Sequence, residues 1–483
     1  MDLNASVYYE AAEQTSVQQD IDATSILRDE AKHLISLAAQ FTFTNILGYL
    51  PGVIALILVG HIDSPDLQLY IGAAALGDMY FNVTGYSTGL GIASAMDTLC
   101  SQAFGAGNVQ RIGIVLQTGL IVLGGMFIPA FFLNVFAADV LIGLGQPMDV
   151  SHYAGQYAQC LLIGLPFLYA YELLKKTLQA QNIASPMIYC TIVCNIVNFV
   201  VGYCLINYCN MGFVGAALGR SAANISLPLS LFPYYWRHSE ARLMWPGLQL
   251  RAAVKGLVEF LRIGVPGMLM MMFEWCSFEC IAIFSGLLPN AVVALGANAI
   301  TLNLFSFLDW IYFGIAVAAT VRVGNAIGAG DAQRTKIAIK ASFITSAITA
   351  ALFAIILLIS RNEYPYIFTS DTAIAKAATS VAIIVIAFQL PQAINQTTQG
   401  ILRGCGLQKM GALINFIAYL LIGLPLGYTF AFVSQLEVVG LWLGMVAAFI
   451  SAASIGIAIL KCTNLDRIIN EAVRINAIDG HTN

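Results

Sequence analysis

Two glutamates five residues apart, Glu274 and Glu279, lie in the run FEWCSFE at 273–279, inside an otherwise apolar stretch. On a helix the second sits about 7.5 Å further along the axis and about 140° round it. Ionised and facing hydrocarbon, the two carboxylates would cost on the order of 5–7 kcal/mol. The pattern therefore puts them on an inward, partly hydrated face, where desolvation favours the neutral form of a carboxyl. Acids that gain and lose a proton near neutral pH are what proton coupling requires. The plainer alternative, for either glutamate alone, is a hydrogen bond to a neighbouring helix.

Other polar residues interrupt apolar runs: Asp78, Asn82, Asp97, Glu172, Arg220, Asn303 and Asp309. Asp97 and Glu172 fall near helix ends, close to Arg111, Lys175 and Lys176, so ion pairing at an inner gate is the expected role. Arg220 calls for an acidic partner in its own half. Asp78, Asn82, Asn303 and Asp309 sit deeper and are candidates to line a cavity. Trp275, Phe278, Trp310 and Tyr312 lie near the acids and suit a cationic aromatic solute through cation–π contact, although plain packing is the commoner use of such rings. The candidate set for proton coupling and the solute cavity is Glu274, Glu279, Asn82, Asp309, Tyr312 and Trp275.

No cofactor or metal is expected. Ten cysteines are present, most of them in apolar runs, with no CxxC pair or Cys/His cluster. Buried cysteine behaves as a small hydrophobe. Cys204 and Cys209 are near enough in sequence to pair, though nothing in the spacing demands it. The GAG elements at 105–107 and 328–330 are not phosphate loops, because neither continues to a GK[ST]. Glycine at a helix end supplies a C-cap and a tight turn. With no segment suited to nucleotide binding, active transport would draw on an ion gradient rather than ATP.

The elements that must hold these residues are membrane helices. Of 483 residues, 59% are hydrophobic and 10% charged, against about 25% charged in a soluble domain. A formal net charge of −4 suggests no nucleic-acid partner. Spans of about 20 residues are expected near 32–60, 69–103, 112–136, 150–174, 183–207, 212–236, 256–286, 291–320, 336–360, 373–401, 409–434 and 437–460. The second is too long to stand upright. Pro51, Pro166, Pro266, Pro391 and Pro425 mark bends. With a cytoplasmic amino terminus, 19 of the 22 Lys and Arg fall on the cytoplasmic side, Arg237 and Arg242 included; only Arg361 and Lys376 lie outside, with Arg220 within a span.

The chain repeats. SQAFGAGNVQR at 101–111 aligns with GNAIGAGDAQR at 324–334, with six of eleven positions identical at a shift of 223, and VGAALG at 214–219 matches VGLWLG at 439–444 at a shift of 225. An even number of spans per half makes the two halves parallel repeats about an axis along the membrane normal. The expected fold is an all-α integral membrane protein of about twelve helices in two pseudo-symmetric six-helix bundles. The bundles span 27–240 and 256–462, joined by a cytoplasmic linker over 241–255. Residues 1–26 read as a disordered cytoplasmic tail without a cleavable-signal pattern, and 463–483 as a short amphipathic tail on the cytoplasmic membrane surface.

These residues resemble the multidrug and toxic compound extrusion (MATE) transporters of the eukaryotic branch. The similarity lies in VGHIDSPDLQLYIGAAALGDMYFNVTGYSTGLGIASAMDTLCSQAFGAGN at 59–108, VRVGNAIGAGD at 321–331, ILRGCGLQKMGA at 401–412 and FEWCSFE. The resemblance implies a V-shaped pair of bundles that exchanges a cation, the proton, for an organic solute. On that pattern Glu274 and Glu279 match the seventh-helix acids, and Asn82 a polar residue of the amino-terminal cavity. Two positions depart from it. Gln392 stands where many members carry a tenth-helix acid, and Ala39-Gln40 where many have a first-helix proline.

The expected function is a secondary antiporter, not an enzyme, exporting cationic drugs, toxins or metabolites in exchange for protons. It would work as a monomer in the lipid bilayer of the plasma membrane or a vacuolar or other endomembrane, with both termini cytoplasmic. Sodium coupling is one alternative. A passive channel or facilitator for a small polar solute is another, and a scaffold or receptor the weakest. Duplication favours transport, because two parallel bundles can rock about a central site.

Overall fold

The computed structural model of the chain describes residues 3–238, 243–289, 291–369 and 371–480; Arg242 lies outside them. Helices α1 to α10 make the first half: Leu3–Gly60, Leu67–Phe81, Ser87–Ala93, Ala95–Gly105, Val109–Val135, Ala137–Gly143, Met148–Leu162, Leu165–Ala180, Ser185–Asn207 and Gly212–Arg237. The short α11, Leu250–Lys255, leads into the second half. There α12 to α18 cover Leu257–Gly286, Ala291–Gly328, Ala332–Ser360, Thr372–Gly404, Gln408–Asn415, Leu424–Tyr428 and Glu437–Cys462, and α19 is Leu465–Gly480. The described residues contain no strand.

Nine described helices are long and apolar enough to cross a membrane, and the α7–α8 pair, bent by 50° at its break, makes a tenth. The other two of the twelve expected spans are helical but fall outside that set. One is the run α2 to α4, interrupted by a π-helical turn at Asn82–Tyr86. The other is α10, which carries Arg220, Pro228 and Pro233. Around the π-helical turn, Thr84, Ser87 and Thr88 donate to the carbonyls of Tyr80, Val83 and Thr84, which occupies backbone groups that a distorted helix leaves open. Residues 3–26, expected to be a disordered tail, continue α1 as helix; its membrane-length part is Ser25–Gly60.

Pro51 lies inside α1 and cannot donate to the carbonyl four residues back, that of Leu47. Asn195 Nδ2 supplies that bond at 2.9 Å, and Asn198 Nδ2 donates to the Pro51 carbonyl at 2.7 Å. The proline is therefore held by α9.

Each half has its own apolar core. The first is built from residues such as Phe81, Met96, Leu116, Tyr157 and Leu173. The second holds Phe305, Phe388, Trp442 and Phe449, and takes in Leu34, Leu37, Ala38 and Phe41 of α1.

At one face the repeated segments pack on each other. A Cβ on Gly105 would lie 2.0 Å from the Asn325 carbonyl oxygen, and one on Gly328 would lie 2.0 Å from that of Gln102. The shift of 223 read from the sequence relates the two contacts, so the duplicated elements meet as an isologous pair. Gly107 and Gly330 have φ of +74° and +73°, the left-handed turn expected of a C-cap.

The same face carries further ties between halves. Arg322 donates to both carboxylate oxygens of Glu30 at 2.5 Å. Thr98 Oγ1 donates to the Arg403 carbonyl at 2.5 Å, and Gln102 Nε2 to that of Gly404 at 3.0 Å.

Helix α19 packs part of its apolar face on protein. Ile469 and Ala472 are buried in a cluster with Val323, Ile327 and Ile401 of the second half. From there Asn476 accepts from Arg111 Nη1 at 2.9 Å, in the first half.

Candidate functional site

Cavities among the described residues bring the candidate residues together. The larger, about 560 Å³, is bounded by α1, α2, α8, α9 and α10 of the first half and by α12 and α13 of the second. Asn82 and Asp78 are on its wall, as expected. The smaller, about 290 Å³, lies mainly within the second half and is lined by Glu274, Asp309, Gln396 and Arg403. Trp275, Glu279 and Trp310 belong to both walls and so stand at the junction.

Glu274 and Glu279 share no hydrogen-bonding partner among the described residues. Glu274 is 7% exposed and points into the second half. Gln396 Nε2 donates to its Oε1 at 3.1 Å, and the Tyr419 hydroxyl does so at 3.0 Å. Glu279 is exposed on the cavity wall. The described residues give its carboxylate no hydrogen bond or ion pair.

The carboxyl that joins Glu274 is Asp309. Gln396 Nε2 also donates to Asp309 Oδ1 at 2.8 Å, and Gln392 Nε2 donates to the same oxygen at 3.0 Å. Gln392, which stands at the expected tenth-helix acid position, is thus a donor to an acid on α13. Behind Tyr419 the network continues. Asn395 Nδ2 donates to the Tyr419 hydroxyl at 3.1 Å, Gln399 Nε2 to Asn415 Oδ1 at 2.6 Å, and Asn415 Nδ2 to the Met270 carbonyl at 2.7 Å.

Sequence reasoning missed this network, although a signal for it exists. Gln389, Gln392, Gln396, Gln399 and Arg403 recur at intervals of three and four, one face of a helix. That polar face of α15 is buried.

Two expected positions need correction. Tyr312 is fully buried in the second core and donates to Gln389 Oε1 at 2.6 Å; it lines neither cavity. Asn303 is exposed, donates to the Ala299 carbonyl of its own helix at 2.9 Å, and also lines neither. Asparagine in a helix can satisfy itself this way without facing a cavity.

The expected charge pairs form. Lys176 Nζ donates to Asp97 at 2.7 and 2.8 Å, and Lys175 Nζ to Glu172 at 2.7 Å. Arg220 pairs with Asp78 on the wall of the larger cavity. Cys204 and Cys209 are free thiols. Arg111, Lys176, Arg322 and Arg403, counted from the sequence among the cytoplasmic basic residues, are buried.

Chemically, the smaller cavity holds two carboxyls on separate helices bridged by a single amide, Glu274 and Asp309, with Glu279 a third on its wall.

A profile for the family MatE matches residues 41–204 and 266–429, one block in each half. The chain belongs to the MatE family. It is 32% identical over 453 residues to multidrug and toxin extrusion protein 1 of Oryctolagus cuniculus, covering 94% of this chain and 78% of that protein. With the Homo sapiens protein of the same name it shares 33% over 422 residues, covering 87% and 73%. Among solved MatE structures, the eukaryotic MATE transporter AtDTX14 superposes with a TM-score of 0.87 at 28% identity, covering 93% of this chain and all of that one. A point mutant of the Vibrio cholerae MATE transporter VcmN matches in fold with a TM-score of 0.80 at 17% identity, covering 92% of this chain and all of that one. MatE proteins are multi-pass membrane transporters of the multidrug and toxin extrusion class, not enzymes. The two-lobed helical arrangement is the MatE fold.

Proposed function

We propose that this chain is a MatE antiporter that exports organic cations in exchange for protons. The observation that carries the reading is the Glu274–Gln396–Asp309 bridge, a buried two-acid site on the wall of the smaller cavity. Two carboxyls at one site in a low-dielectric interior resist ionising together, so one of them readily holds a proton. Glu279, with no partner among the described residues and flanked by Trp275 and Trp310, supplies a separate anchor for a cationic ring system.

On this reading the bundles are 27–240 and 256–462, joined by a cytoplasmic linker at 241–255. The sealed, basic face is cytoplasmic and both termini lie there, following the positive-inside bias. The cavities then face outward, and alternation requires the reciprocal Gly105–Gly328 contact to part.

The test is accumulation of ethidium, a planar aromatic cation, in proteoliposomes under an imposed pH gradient. Uptake beyond equilibrium that collapses with a proton uncoupler and survives removal of sodium is expected. Equilibration without accumulation would make the protein a facilitator, and accumulation that needs sodium but no pH gradient would make sodium the coupling ion.

A further inference from the structure

Arg403 is the one cation on the wall of the smaller cavity among the described residues. It lies two helical turns beyond Gln396 on the buried polar face of α15 and is 5% exposed. Among the described residues its guanidinium makes no hydrogen bond or ion pair, and Nε is buried without a partner. It rests on Phe313, with 5.5 Å from the guanidinium carbon to the ring centroid. A buried cation left this way is costly unless nearby charge offsets it.

The carboxylates whose fields reach Arg403 are Asp97, Glu274 and Asp309. Asp97, from α4, is already held by Lys176. Of the other titratable groups around it, Tyr419, in the π-helical segment Phe416–Gly423, is a hydroxyl donor to Glu274, and Glu279 stands at the cavity rim. Glu274 from α12 and Asp309 from α13 are therefore the charges that face it. With both ionised, the group of Glu274, Asp309 and Arg403 carries one more negative than positive charge. With one proton bound, the three groups balance. With two, a lone positive charge remains.

We propose that Arg403 is a positioning residue for proton exchange: its fixed charge offsets one carboxylate of the Glu274–Asp309 pair and so sets the pH at which the pair takes up its proton. The inference rests on the proton-coupled reading above. It also ties the site to the seal, because the carbonyl of this same residue accepts from Thr98 across the interface between halves. The bland alternative is a basic residue that only complements the carboxyl end of α15.

The experiment is a proton-binding titration of the purified full chain in detergent between about pH 5 and pH 9, with an E274Q/D309N variant as the blank. The midpoint of the difference curve is the readout. R403Q is expected to raise it by about one pH unit or more, and R403K to leave it near the wild-type value. A merely structural arginine would leave the midpoint alone, or fail equally as lysine and as glutamine. Should R403Q not reach the membrane, D309N/R403Q removes one charge of each sign and leaves the net charge of the site unchanged. Its midpoint is then expected above that of D309N alone by a similar amount. An R403Q midpoint equal to wild type, R403K and R403Q midpoints equally displaced, or equal midpoints for D309N and D309N/R403Q would overturn the inference while leaving the proton-coupled reading intact. A wild type that shows no difference from the blank would overturn both.

Discussion

Glu274 and Asp309, on different helices, are joined through one side chain: Gln396 Nε2 lies 3.1 Å from Glu274 Oε1 and 2.8 Å from Asp309 Oδ1. The helices α12, α13 and α15 thus meet at one amide. Gln392 on α15 donates to the Asp309 carboxyl rather than carrying one itself. The second acid of the site thus stands on α13, not on α15.

Glu279 stands apart from that bridge, so its loss should affect solute binding more than coupling. Glu279→Gln is expected to raise KM for ethidium several-fold, with kcat and the pH profile of uptake little changed, since uniform binding energy appears in KM. Initial rates over a range of ethidium concentration decide it. An unchanged KM with a displaced pH profile would return Glu279 to the coupling site.

Asp97 is predicted to matter for assembly. Its carboxylate pairs with Lys176, both side chains less than a tenth exposed. Asp97→Asn strands a buried ammonium, at a cost of about 3–5 kcal/mol, and should cut the amount of folded protein in the membrane. D97N/K176M should recover much of it, because a buried pair is often replaceable by apolar side chains. Fluorescence-detected gel filtration of tagged variants measures this; a double variant no better than the single would contradict the account.

The reciprocal glycines give a symmetric prediction. Gly105→Ala and Gly328→Ala each drive a Cβ onto a backbone carbonyl of the other half. Each should destabilise this closed face by about 1–3 kcal/mol, the usual cost of overpacking. Because the contacts are pseudo-symmetric, both variants should lower Tm by similar amounts. A large effect at one position and none at the other would contradict the isologous packing.

Helix α19 crosses between halves, with Asn108 Nδ2 donating to the Asn476 carbonyl at 3.3 Å. A disulfide between Asn108→Cys and Asn476→Cys, in a background freed of exposed Cys204, Cys209 and Cys462, should arrest uptake. Reduction should restore it. Full transport while cross-linked would mean that these surfaces stay together throughout the cycle.

The amino-acid sequence carried most of the architecture, because a period of 223 residues and a one-sided distribution of Lys and Arg survive any error in helix boundaries. It also carried the charge pairs of Asp97, Glu172 and Arg220, since an intramembrane charge demands a partner and few are available. Spacing alone misled at the centre. Five residues separate Glu274 from Glu279, yet about 140° of rotation sends one into the second half and leaves the other on the open wall. Asp309 and Gln396 are 87 residues apart, and only packing of α13 on α15 brings them together. Tyr312, three residues from Asp309, lies only about 60° round the helix from it, yet its hydroxyl turns to Gln389 in the second core. The glutamine face of α15 was visible as a pattern, but amides carry no charge to mark them as costly in a membrane. Helix α19 showed its amphipathic face correctly; the sequence could not say whether lipid or protein would cover it.

In the proposed antiporter, Glu274, bridged to Asp309, carries the coupling proton. Glu274→Gln keeps the volume and removes the charge, so the variant should fold and reach the membrane. The measurement is initial ethidium uptake against pH in proteoliposomes holding equal amounts of wild type and variant. Loss of gradient-driven uptake, with the pH dependence flattened, is the predicted result. An E274Q protein that transports at the wild-type rate with the wild-type pH profile would contradict the account.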